Sequence, residues 1–176
     1  MTYSDKRVLL IAGGGTLGTH TANELLRLGV AVDVICPEEK VSHHQRLTFQ
    51  RSLVSRELLD DLFSKYHYDG VVDFIHYKDP EAYKAAYTHL REHIDHIIFL
   101  SSYRVYANSS EKITEASPRL LDVETDKDFL ARETYALPKS VCEDWLRNER
   151  KGERWTIVRP VISFSHLRLD LLLYSG

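Results

Sequence analysis

The chain has 176 residues, 43% of them apolar and 28% charged, with a formal net charge of −3 and two cysteines. That is enough apolar material for one domain with its own core, and the charge balance excludes a basic nucleic-acid or anionic-membrane surface. Two cysteines make neither a disulfide framework nor a zinc finger. The apolar run after Arg7 is too short for a signal peptide, and no stretch approaches the roughly 18 apolar residues of a membrane span. These features predict a cytoplasmic, single-core protein that binds neither nucleic acid nor membrane.

Short β-branched runs alternate with amphipathic stretches. Val8 to Ala12 predicts a buried strand, and Thr16 to Leu28 a helix with Leu17, Ala22, Leu25, Leu26 and Leu28 near one stripe. Gly29 suits the C-terminal end of that helix. Val30 to Cys36 reads as a second strand stopped by Pro37, Arg46 to Arg51 as a third, and Arg56 to Tyr66 as a helix. Gly70 to His76 is a fourth strand. Asp79 to His93 is a helix with Asp79 as N-cap and Pro80 at its first position. His96 to Ser101 is a fifth strand, and Tyr103 to Arg132 a long surface loop. Tyr135 to Arg150 is a helix, and Trp155 to Arg159 a sixth strand closed by Pro160. Alternation at this spacing predicts an α/β fold: a doubly wound, parallel, Rossmann-type sheet of order 3-2-1-4-5-6.

Half of the eight glycines fall in one short segment, Gly13-Gly14-Gly15-Thr16-Leu17-Gly18, between the first strand and the first helix. The segment satisfies G-x-G-x-x-G. Gly13 permits a tight turn, Gly15 admits a pyrophosphate without a Cβ in the way, and Gly18 lets the helix pack on the strand. Free N–H groups at the helix start would face the phosphates. Asp33 stands mid-strand, so Glu38 and Glu39 after the second strand are the acidic candidates for the adenosine ribose, with a pair of solvated loop charges as the alternative. With no arginine there for a 2′-phosphate, the expected cofactor is NAD over NADP.

Tyr135 and Lys139 are four apart on one helical face. A phenol is a poor base at neutral pH, and an ammonium one turn away stabilises the phenolate. Tyr135 could then take a proton from a substrate hydroxyl. The fifth strand ends in Ser101-Ser102, at the carboxyl edge where such sheets place their chemistry.

Four segments together resemble the NAD-dependent epimerase/dehydratase family, the extended short-chain dehydrogenase/reductases. They are Gly13 to Gly18, Leu100-Ser-Ser-Tyr-Arg-Val-Tyr106, Tyr135 to Lys139, and Arg159-Pro160. The run Val71-Val-Asp-Phe-Ile-His-Tyr77 resembles an atypical branch of that family. The resemblance implies a Ser102–Tyr135–Lys139 triad: Ser102 positions substrate, Tyr135 is the acid/base, and Lys139 tunes it and binds ribose. It also implies cofactor contacts from Thr16, Leu17, Phe74, His76, Ser101 and Pro160. The implied substrate is a nucleotide-sugar-like hydroxyl compound, and the implied assembly a homodimer paired through the helices at Asp79 to His93 and Tyr135 to Arg150. The family usually writes G-x-x-G-x-x-G, and its first glycine falls here on Ala12.

Residues 1–165 are expected to form the NAD(P)-binding domain, and 166–176 to begin a truncated C-terminal lobe whose run Leu171 to Leu173 favours self-association. Such a chain binds cofactor without turning over substrate. The alternative to an enzyme is a binding module that senses NAD(P). His89 and His93, at i and i+4 with His96 nearby, lack a third ligand of a known pattern and read as a solvated helix face, so no metal is expected. Cys142, Tyr83 and Tyr87 read as core.

Overall fold

The computed structural model describes residues 3–162. The expected C-terminal segment, with the run at 171–173, lies outside the described residues. In chain order the elements are β1 (Arg7–Ile11), α1 (Thr16–Arg27), β2 (Ala31–Cys36), β3 (Leu47–Arg51), α2 (Arg56–Lys65), β4 (Gly70–Asp73) and α3 (Pro80–Arg91). There follow β5 (Ile97–Leu100), a 3-10 turn at Tyr103–Val105, α4 (Leu120–Val123), α5 (Lys127–Arg132), α6 (Ala136–Glu149) and β6 (Trp155–Val158). The sheet has order β3-β2-β1-β4-β5-β6, and every neighbouring pair is parallel.

Right-handed crossovers put α1 on one face and α2, α3 and α6 on the other. Alternation along the strands fills both layers. Leu9, Ile11, Ile35, Val71 and Phe99 pack with Leu59, Leu62, Tyr83, Tyr87, Leu90, Cys142, Trp145 and Leu146. Leu10, Val32, Val34 and Val72 pack with Ala22, Leu25 and Leu26 of α1. Each such side chain contributes roughly 1.5–3 kcal/mol on leaving water. Gly29, at φ +88, ends α1 as expected, and the Val30 N–H reaches back to the Leu25 carbonyl at 2.9 Å. Asp79 caps α3 by accepting from the Glu81 N–H at 3.0 Å.

Three expectations are corrected. β4 stops at Asp73 rather than His76, because the Asp73 side chain takes over the backbone there. Its carboxylate accepts from the Ile75 N–H at 2.9 Å and from the Tyr77 hydroxyl at 2.8 Å, which bends the chain out of the ladder. The segment from Tyr103 to Arg132 is no plain loop but holds the 3-10 turn, α4 and α5. His89 is not solvated; it is 7% exposed and lies against Phe63 of α2.

Candidate cofactor and active site

The turn after β1 carries its strain at Ala12, whose φ of +55 is the left-handed region. The tight-turn role expected of Gly13 therefore belongs to Ala12. Gly13 is glycine for space: a Cβ there would stand 2.8 Å from Leu10 Cβ and 3.2 Å from Val34 Cγ1. Gly18 is more constrained still, since its Cβ would meet the Gly13 carbonyl oxygen at 2.1 Å. That contact seats α1 on the loop. Gly15 differs from both. A Cβ there would meet nothing within 4 Å, so the fold itself has no use for glycine at this position. Gly15 is also the N-cap of α1, and among the described residues no side-chain cap bonds the helix's first N–H groups. An open cradle at an uncapped helix start fits a phosphate.

The acidic candidates separate cleanly. Asp33 is buried, paired with Arg7 and bonded by the Tyr68 hydroxyl at 2.8 Å, so it serves the sheet. Glu39 is held by Arg51 at 2.9 Å. The Glu38 carboxylate alone lies against the glycine loop, 2.4 Å from where a Gly14 Cβ would stand. The sequence reading missed Lys40, whose ammonium donates to the Gly14 carbonyl at 2.5 Å.

At the other end of the site, α6 starts one residue after Tyr135, close to the expected position, with Pro138 inside its first turn. Glu133 secures that start by accepting from the Tyr135 and Ala136 N–H groups at 2.7 and 2.8 Å. Burial pushes the Glu133 carboxyl up, but these two bonds outweigh it and hold the group below its ordinary range. The Tyr135 ring lies between His76, at 4.8 Å, and the Arg104 guanidinium, at 4.9 Å. Burial, and then the charge of Lys139, hold the His76 imidazole below its ordinary pKa. The Lys139 ammonium is buried, 5.6 Å from the Tyr135 ring centroid, and donates to the Leu100 carbonyl at 2.6 Å. Burial lowers its pKa, and Asp73 is the first charge to oppose that. Ser102 is buried and accepts from the Arg104 N–H at 3.2 Å.

Two hollows join these ends. One, of about 410 Å³, is lined by Gly15, Thr16, Leu17, Gly18, Phe74 and Leu100 among others. The next, of about 430 Å³, shares Leu17, Phe74 and Leu100 and extends to His76, Ser101, Ser102, Tyr135, Lys139 and Pro160. Of the expected site residues, Gly13 and the acidic candidates Glu38 and Glu39 lie outside both linings. A third hollow, of about 780 Å³, adjoins through Tyr103 and Val161 and is lined by Thr114, Arg147 and Arg159.

No family model matches the sequence, and no curated protein matches it. Solved structures do. The UDP-glucuronic acid 4-epimerase of Bacillus cereus, in complex with NAD, superposes with a TM-score of 0.69 at 17% identity, over 93% of this chain and 59% of that one. A UDP-glucose-4-epimerase from Stenotrophomonas maltophila with bound NAD and formylated UDP-arabinopyranose gives 0.68 at 18% identity, over 88% of this chain and 52% of that one. The enzyme WbmH of Bordetella bronchiseptica in complex with NAD+ gives 0.61 at 22% identity, over 88% and 55%. The likeness is one of fold. The chain spans just over half the length of the structures it matches.

Sequence reasoning missed Asp73, Glu133 and Glu143. Glu143 is fully buried and grips Arg159, the arginine of the Arg-Pro pair. The spacing Tyr135, Lys139, Glu143 repeats every four residues along one face of α6 and was the available signal. Among the described residues no helix is long and apolar enough to cross a membrane.

Proposed function

We propose that the joined hollows bind a nicotinamide dinucleotide, NAD in preference to NADP, as the cofactor half of an epimerase/dehydratase-type oxidoreductase. The observation that carries the reading is the continuity of the trough, with the open Gly15 cradle at one end and Ser102, Tyr135 and Lys139 at the other. Glu38 beside the loop supports NAD, because a 2′-phosphate there would meet its carboxylate. The likeness to NAD-bound epimerase structures supports the same cofactor.

Thr16, Leu17 and Gly18 would line the pyrophosphate end, and Phe74, His76, Ser101 and Pro160 the nicotinamide end. The bound nicotinamide supplies a hydride acceptor. Tyr135 takes the proton from a substrate hydroxyl and can return it. Lys139 steadies the phenolate, and among the described residues one of its three N–H donors is committed, to Leu100, which leaves two for a ribose. Ser102 orients the substrate oxygen. A nucleotide-sugar-like substrate would occupy the adjoining hollow, which Tyr103, Tyr106, Glu115 and Arg147 line. The same reading carries a homodimer paired through α3 and α6.

Calorimetric titration with NAD and NADP tests the cofactor. Gly15→Val should leave the fold intact, because a Cβ at that position meets nothing within 4 Å and φ −77 suits any residue. It should weaken NAD binding at least a hundredfold. Equal affinity in the two proteins removes the site from this loop.

A further inference from the structure

Where α2 packs on α3, three side chains with metal-ligating atoms converge: Asp60 of α2, His89 in the last turn of α3, and His93 just beyond it. Their ligand atoms all lie within 4.8 Å of one another. His89 is the member that needs explaining. It is buried, and neither of its ring nitrogens has a hydrogen-bond partner among the described residues. Nε2 stands 3.0 Å from Asp60 Oδ1, close enough for charge pairing but out of line for a hydrogen bond. A buried imidazole with both nitrogens unmet is costly unless something else satisfies them.

The surroundings orient these atoms. Arg56 Nε lies 4.0 Å from Asp60 Oδ2, so one carboxylate oxygen faces the arginine and the other faces His89. Phe63 stacks on His93 at 4.7 Å and 20°, and meets His89 at 5.9 Å, which holds both imidazoles against α2. The two histidines sit at the C-terminal end of α3, where the helix dipole favours a cation. Of the other cations near His89, Lys84 is taken by Glu81 at 2.8 Å and Arg150 by Glu153 at 3.5 Å.

We propose that Asp60, His89 and His93 form a divalent metal site of the zinc type. Two imidazole nitrogens and one carboxylate oxygen are a donor set that zinc takes, with water in the fourth position. The ligand atoms need close to only about 3.3 Å apart for tetrahedral bonds near 2 Å. α3 leaves the carboxyl edge of β4 and returns toward the start of β5, so the site lies at the edge of the sheet remote from the glycine loop. The metal would tie α2 to α3 and take no part in hydride transfer. A second group, His67, Asp69 and Asp95, is the weaker candidate, since Asp69 already accepts from Lys6 Nζ at 2.8 Å and the Arg7 N–H at 2.9 Å.

The test uses the whole chain, freed of metal by a chelator and titrated with Zn²⁺ by calorimetry and with Co²⁺ by visible absorption. The expected result is one equivalent of Zn²⁺ and the intense visible band of low-symmetry Co²⁺. His93→Ala and Asp60→Asn, both at exposed positions, should each weaken Zn²⁺ binding at least tenfold. His67→Ala should leave it unchanged. Zn²⁺ should raise the thermal midpoint of the parent chain and not that of Asp60→Asn. Absence of saturable binding overturns the proposal, and so does binding that survives both substitutions or is lost in His67→Ala.

Discussion

Arg159 grips Glu143 with two nitrogens, Nε on Oε1 at 2.8 Å and Nη2 on Oε2 at 2.5 Å, inside a layer where Glu143 has no solvent contact. The third nitrogen of the guanidinium donates to the Tyr106 hydroxyl at 2.6 Å. Arg119 stands 3.5 Å from the same carboxylate and is itself held by Asp122 and Asp144 at 2.8 Å. Burial pushes Glu143 up, but the Arg159 bonds outweigh it and keep the carboxyl below its ordinary range. The pair fastens the end of β6 to α6, one turn after Lys139.

Glu143→Gln should therefore be costly, because it leaves Arg159 buried without its counter-charge. A loss of about 3–5 kcal/mol is expected in urea unfolding. Replacing both partners with methionine should cost less than the sum of the two single changes. Additive losses would show that the two residues do not act as a pair.

Ala12→Gly should stabilise the chain. A left-handed alanine costs about 1–2 kcal/mol, and the greater freedom of unfolded glycine returns part of that gain. A net gain approaching 1 kcal/mol corresponds to a rise of roughly 2–4 °C in thermal midpoint. Gly18→Ala should act in the opposite direction, because its Cβ meets backbone at 2.1 Å.

Asp73 is expected to make the fold pH-sensitive. Burial pushes its carboxyl up from 3.8 to about 6. A group that binds its proton more tightly when folded favours the fold most at pH below about 4, and that contribution is lost as pH rises through 6. About two units correspond to roughly 3 kcal/mol between the limits. Asp73→Asn should flatten stability between pH 4 and 6, measured by urea midpoints across that range. An unchanged slope would place the titration elsewhere.

On the proposed function, Tyr135→Phe should leave NAD affinity within about twofold and abolish turnover, since it removes only the hydroxyl assigned to proton transfer. Lys139→Met should damage both, because the proposal gives that ammonium both the phenolate and the ribose. A Phe variant with the parent rate would remove Tyr135 from the chemistry.

Much of this was legible in the sequence. The strand order followed from the alternation, and Gly15 to Gly18, Ser102, Tyr135 and Lys139 line one trough. What escaped were side chains that replace backbone or charge partners across long sequence gaps. Asp73 ends β4 by bonding two residues beyond it, and hydropathy has no mark for that. Glu143 drew no reading from the sequence, because its partner Arg159 arrives from the end of β6. His89 looked solvated because its cover, Phe63, comes from α2 rather than from its own helix.

Leu17, Phe74 and Leu100 line both halves of the trough, and they belong to α1, to the turn after β4 and to the end of β5. Any molecule lying across that seam touches the beginning and the middle of the chain at once. Local opening of α1 or of β5 would then break contacts made by the other. A bound dinucleotide should merge their separate fluctuations into one cooperative event, with amide hydrogens in both elements exchanging at the same slowed rate.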